Sequence, residues 1–236
     1  MFLPNTLRMR LVELAPPVIA WKARRGLRLV IGGLRSLFRR GFGATLATII
    51  ERRQAAAEPP RTDAVVIAPA KPDGTRIVLV IDAMMPDSAR DSGSLRLLEI
   101  LRIFGEQGFA LAFMPDSGRA TPGEIATLAA AGVELLGVAG RPNLPSWLQA
   151  NAQRLTAAML CRHYVAQQHR TLVRHYAPGA TLMLDTVDLH FLREQRTAEL
   201  ADDRKGLAAA RRTRRRELRQ IRAADVTFVV SQPEQQ

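Results

Sequence analysis

Cysteine is nearly missing from this sequence. One residue in 236, Cys161, excludes an internal disulfide framework and any cysteine-rich metal site, and it fits a reducing cytoplasm. Aromatic residues are also scarce, at 5% with 2 Trp and 2 Tyr, and none are spaced to stack successive bases, so nucleic acid is not an expected partner. No His or Cys pair stands at metal-ligand spacing, and no protein-bound metal is expected. The longest apolar stretch near the start, Gly41 to Ile50, is too short to span a bilayer. Pro16-Pro17 and scattered arginines break any signal-peptide pattern. Internal repeats and coiled-coil heptads are absent as well.

What is present is an ordinary globular composition, 47% hydrophobic and 24% charged, under an unusual net charge of +12. That charge is unevenly placed. Residues 1–53 carry 11 Lys/Arg against 2 Asp/Glu, or +9, which leaves +3 for the other 183 residues. The basicity of the lead-in therefore does not argue that the main body binds a polyanion. Residues 18–53 mix Leu, Ile, Val and Phe with Arg at roughly helical spacing, broken by Gly32-Gly33 and Gly41. The spacing predicts one or two basic amphipathic helices over a lead-in of residues 1–54. Two readings fit them. One is peripheral attachment to an anionic membrane surface, with Trp21, Phe38 and Phe42 at the boundary. The other is a helical segment packed on a neighbouring domain.

Residues 55–74 are rich in Ala and Pro without period, as a linker is. From Thr75 to residue 236 apolar strand-like runs alternate with helical stretches. Strands are expected at Arg76–Ile81, Phe109–Met114, Val133–Leu136, Thr156–Cys161, Ala180–Leu184 and Val226–Val230, with five helices between them. The first helix, Ser94–Gln107, gathers Leu97, Leu98, Leu101 and Phe104 on one stripe and stops before Gly108. The last runs unbroken from Phe191 to about Ala223. This alternation predicts an α/β fold, a Rossmann-like, mostly parallel sheet with helices on both faces. Ligands of such sheets collect at the carboxyl ends of the strands, here Asp82–Gly93, Pro115–Pro122, Arg162–Tyr164 and Asp185–His190.

Three constellations fall at those ends. In "IDAMMPDSARDSGSLR" the first half matches the phospho-acceptor strand of a receiver domain, yet the acidic pair and later lysine that such chemistry needs are missing. The second half places Asp91, Ser92 and Ser94 as helix caps, with Gly93 allowing close backbone approach and Arg96 one turn inside. Phosphate binding at a helix N-terminus and a plain N-cap both fit it. In "LMLDTVDLHFLREQR", Asp185, Asp188, His190 and Arg193 crowd one strand end. There His190 can act as acid, base or ligand clamp, or Asp188 can simply cap a helix that begins near His190. In "CRHYVAQQHR", Arg162, His163 and Tyr164 follow another strand, and His169 and His175 are expected on a solvated helix face. The run "RRTRRRELRQIR" holds seven Arg. It reads as the exposed face of the last helix, over a buried stripe of Leu207, Leu218 and Ile221, or as a contact for phosphates.

Together "RIVLVIDAMMPDSARDSGSLRLLEILRIFGEQGFALAFMPD", "CRHYVAQQHRTLVRHYAPGATLMLDTVDLHFLREQR" and "RRRELRQIRAADVTFVVS" resemble the N-terminal half of bacterial GT-B glycosyltransferases of the family 4, or group 1, type, over about Thr75 to Ser231. The resemblance implies one half of a GT-B fold that handles the acceptor. The partner half, which binds the nucleotide-sugar donor and carries two Glu with seven residues between them, has no counterpart in the chain. It further implies that Ser92, Gly93 and Ser94 form the small-residue loop near the donor phosphates, although "DSGS" departs from the family's usual Gly-Gly. His190, with Asp188, would be the catalytic residue near the transferred sugar; Arg96, His163, Tyr164, Asp185 and Arg193 would complete the substrate cleft. No cofactor is implied beyond the nucleotide sugar as co-substrate. The acceptor would be a glycan or a lipid-linked sugar at the inner face of the cytoplasmic membrane, and the chain alone would transfer little. A non-catalytic Rossmann-like binding module is the alternative.

Overall fold

The computed structural model describes residues 16–25, 75–87 and 91–230. The expected linker, and the lead-in from residue 26 onward with Phe38 and Phe42, lie outside the described residues.

Six strands form one parallel sheet: β1 (Ile77–Asp82), β2 (Ala110–Pro115), β3 (Val133–Leu135), β4 (Leu155–Cys161), β5 (Thr181–Asp185) and β6 (Val226–Phe228), in the order β3-β2-β1-β4-β5-β6. Every neighbouring pair is parallel, so each connection crosses a face of the sheet and covers it. The helices are α1 (residues 16–25), α2 (Ser92–Glu106), α3 (Pro122–Ala130), α4 (Leu144–Asn151), α5 (His163–Tyr176), α6 (His190–Leu200) and α7 (Arg204–Ile221).

The strand alternation sorts side chains between two cores. Ile77, Leu79 and Ile81 of β1 point to one face, where Val18 and Trp21 of α1, Leu144 and Trp147 of α4 and Val165 and Leu172 of α5 pack. Val78 and Val80 point to the other, against Leu97 and Leu101 of α2 and Leu128 of α3. A strand buried on both faces must be apolar throughout, which is why "IVLVI" carries no polar alternation.

The α1 segment joins the first of these cores. Trp21 is 6% exposed, so it lies inside the protein and not at a lipid boundary. Its indole N–H donates to Nδ1 of His169 at 2.9 Å. That leaves Nε2 to carry the ring hydrogen towards Asp116 Oδ1, 2.8 Å away. Gln168 adds a bond to the Trp21 carbonyl at 3.1 Å. His169, expected on a solvated face, is fully buried because this indole and carboxylate satisfy both ring nitrogens; His175 is exposed. Among the described residues no helix is long and apolar enough to cross a membrane.

The expected single last helix is a hairpin. The chain turns at Asp202, whose φ is +46, and Asp203 caps α7 by accepting from Lys205 N at 2.9 Å. The two arms pack tightly: a Cβ on Gly206 would lie 2.8 Å from the Ala198 side chain. In α7 the buried residues are Ala210, Glu217 and Gln220, and not the Leu207, Leu218 and Ile221 stripe that hydrophobicity alone selects.

Candidate functional site

Strand order reverses direction between β1 and β4, and the carboxyl ends of those strands border the crevice where such sheets bind ligands. Asp82 ends β1. Arg162, directly after β4, holds φ at +76, a left-handed conformation that non-glycine residues rarely adopt. Its Nε donates to Asp82 Oδ1 at 3.1 Å, and Ala83 N donates to the same oxygen at 2.6 Å. Burial raises the Asp82 pKa against the pull of Arg162.

One strand further out, Asp185 ends β5 and is buried. Arg96 Nη1 meets Asp185 Oδ2 at 2.5 Å, and Val187 N donates to Oδ1 at 3.2 Å. Val187 is β-branched yet sits at φ +61. A Cβ on Gly93 would lie 3.5 Å from the Val187 side chain and 3.2 Å from Asp91 Oδ1, so the α2 entry and the β5–α6 loop press against each other. Asp91 caps α2 by accepting from Ser94 N at 2.8 Å; Ser94 is buried and Ser92 exposed. Of the two sequence readings of this turn, the N-cap is present, and Gly93 lies where the β5–α6 loop passes close. The Arg96 guanidinium is paired with Asp185.

The histidines gather beside it. His163 and Tyr164 open α5, and His190 opens α6. The His163 and His190 rings stand edge to face with centroids 5.0 Å apart, and Tyr164 lies 5.8 Å from His190. The two histidines face one carboxylate, Glu217 of α7, which is 2% exposed. Its Oε1 lies 2.9 Å from His163 Nδ1 and 3.3 Å from His190 Nδ1. The same oxygen accepts from the His190 backbone N–H at 3.0 Å, and Oε2 accepts from that of Phe191 at 2.9 Å.

Glu217 thus supplies the cap of α6 from another helix. Asp188, which the sequence places there, does not cap it: the N-cap is Leu189, with no side-chain cap bond. Asp188 instead pairs with Arg193, and its carbonyl lies 3.1 Å from His190 Nδ1. Burial would raise the Glu217 carboxyl, but the bonds from His163, His190 and Phe191 outweigh it and hold it down at about 2. For His190 burial pulls downward, and the Glu217 bond with the Asp188 charge turns the net shift upward.

The ten residues singled out from sequence, Ser92, Gly93, Ser94, Arg96, His163, Tyr164, Asp185, Asp188, His190 and Arg193, thus fall on two touching loops and one adjacent helix entry. Sequence reasoning missed Glu217. Its one signal is that it is the single acid within the seven-arginine run. A scan against protein-family models and searches of curated proteins and of solved structures found no match.

Proposed function

We propose that this domain is the acceptor-side half of a sugar-transferring enzyme, taking a hexosyl group from a nucleotide sugar to a glycan or lipid-linked acceptor. One observation carries the reading: His190, His163 and Tyr164 arrive from two different strand ends and converge at the carboxyl edge of the sheet, on a loop that abuts the Ser92–Gly93–Ser94 turn. His190 Nδ1 is held by the Asp188 carbonyl and Glu217. Among the described residues its Nε2 has no hydrogen-bond partner, and in this reading it meets a sugar hydroxyl. Transfer of this kind depends on positioning and on electrostatic help to the leaving diphosphate. The basic lead-in supports action beside an anionic membrane surface.

A non-catalytic binding module is favoured by a different observation. The charges nearest the crevice are paired with each other, Arg162 with Asp82 and Arg96 with Asp185, which leaves little unmet charge for a phosphate.

Amide NMR of the full chain, titrated with uridine- and guanosine-diphosphate hexoses and with short oligosaccharides, tests both. The enzyme reading expects shifts at Ser92–Arg96, His163–Tyr164 and Asp185–Arg193 that weaken in His190→Ala. Shifts in those loops that survive His190→Ala favour the module. Their absence at millimolar ligand defeats the sugar-transfer reading.

A further inference from the structure

His163, His190 and Glu217 each offer one ligand atom, and those atoms lie within 4.8 Å of one another. We propose that this cluster binds a divalent transition cation of the zinc class, held by two imidazole nitrogens and one carboxylate oxygen. The inference concerns the cluster alone and stands whether or not the domain transfers sugar.

The chemistry of the donors comes first. Two neutral imidazoles with one carboxylate suit zinc, cobalt or nickel, whereas magnesium and calcium demand mainly oxygen. Zinc bound through such a trio keeps a position open for water or a ligand.

The geometry comes second. Bonds of about 2.0–2.2 Å in a tetrahedron put neighbouring ligand atoms roughly 3.3–3.5 Å apart. Both imidazoles turn the same nitrogen, Nδ1, to Glu217 Oε1, at 2.9 and 3.3 Å. An ion between them takes the place of the two Nδ1 hydrogens, so each ring binds as a neutral imidazole with its hydrogen on Nε2, and a ring that starts as imidazolium releases one proton to solvent. The bond from Phe191 N to Oε2 at 2.9 Å remains to orient the carboxylate, as an outer partner commonly does for a ligand.

The electrostatics come third. A buried carboxylate needs a compensating charge, yet among the described residues Glu217 pairs with no Arg or Lys, only with the two histidines. Seven arginines flank it on the same helix, and all of them are exposed. The ligands come from three helices, with His163 and Glu217 54 positions apart, so no short motif announces them.

The test uses the full chain, stripped with a chelator and titrated with zinc by calorimetry and with cobalt by visible absorption. The expected results are one equivalent bound, tetrahedral cobalt bands, and a Tm that rises with added zinc. His163→Ala and His190→Gln should each lose at least about tenfold in affinity, with folding checked by circular dichroism. His175→Ala, at the exposed histidine, should bind as the parent does. Failure to bind one equivalent overturns the site, and so does a folded His163→Ala/His190→Gln double variant that binds zinc as tightly as the parent.

Discussion

At the scale of single residues, Glu217 orders the region around it. It accepts two backbone N–H bonds at the start of α6 and faces two imidazoles. Removing a buried acceptor strands every donor that it served. Glu217→Ala in chelator should lower stability by about 3 kcal/mol in urea unfolding, and Glu217→Gln by less, since one amide oxygen still accepts. Asp225 makes a separate prediction. It accepts from Arg174 at 2.6 Å and from Leu182 N at 2.7 Å, and these bonds lower its pKa from the usual 3.8. Because the folded pKa is the lower one, its contribution is present above 3.8 and is lost as pH falls through the folded value. The stability gap between the parent and Asp225→Asn should be full near neutral pH and close in strong acid. His190 was legible in the sequence because it follows an apolar strand among acids. Glu217 was not: within "RRRELRQ" nothing local distinguishes a buried carboxylate from one that balances its neighbours' charge.

At the scale of elements, each strand lies within two residues of its expected ends: the inner strands β1, β2 and β4 are largely buried apolar runs bounded by polar residues, and the edge strands β3 and β6 are short and partly exposed. The expectation of one helix from Phe191 to about Ala223 failed at "ADDRKG". There Asp203 as a cap and Gly206 at the close approach were signals that the helical periodicity on either side outweighed. The docking of α1 was beyond local reading, because Trp21 and His169 are 148 residues apart. The lead-in left two alternatives open, and for residues 16–25 the structure shows packing on the domain. Trp21→Ala should therefore cost about 3–5 kcal/mol, measured by denaturant unfolding. Hydrogen exchange should quicken in α1 and α5 together. A loss below 1 kcal/mol would mean that α1 contributes little to the core.

At the scale of the whole molecule, the composition separated a strongly basic lead-in from a nearly balanced body, and the described residues agree with an α/β body. Its six parallel strands put all the loops that carry the candidate side chains at one edge, as strand direction requires. Which loops touch depended on strand order, and no stretch of sequence states that β1 neighbours β4.

The lone cysteine then acquires a use unrelated to ligands. Cys161 ends the central strand β4, is 1% exposed, and burial, with the Asp82 and Asp185 charges, raises its thiol well above the ordinary range. A reagent that attacks thiolates cannot reach it until the sheet opens, so the labelling rate counts openings. In native buffer the thiol should react orders of magnitude more slowly than in urea, and a substitution that loosens the sheet should raise the logarithm of the rate in proportion to the stability lost. One sulfur atom thus serves as a built-in clock for how often the molecule comes apart.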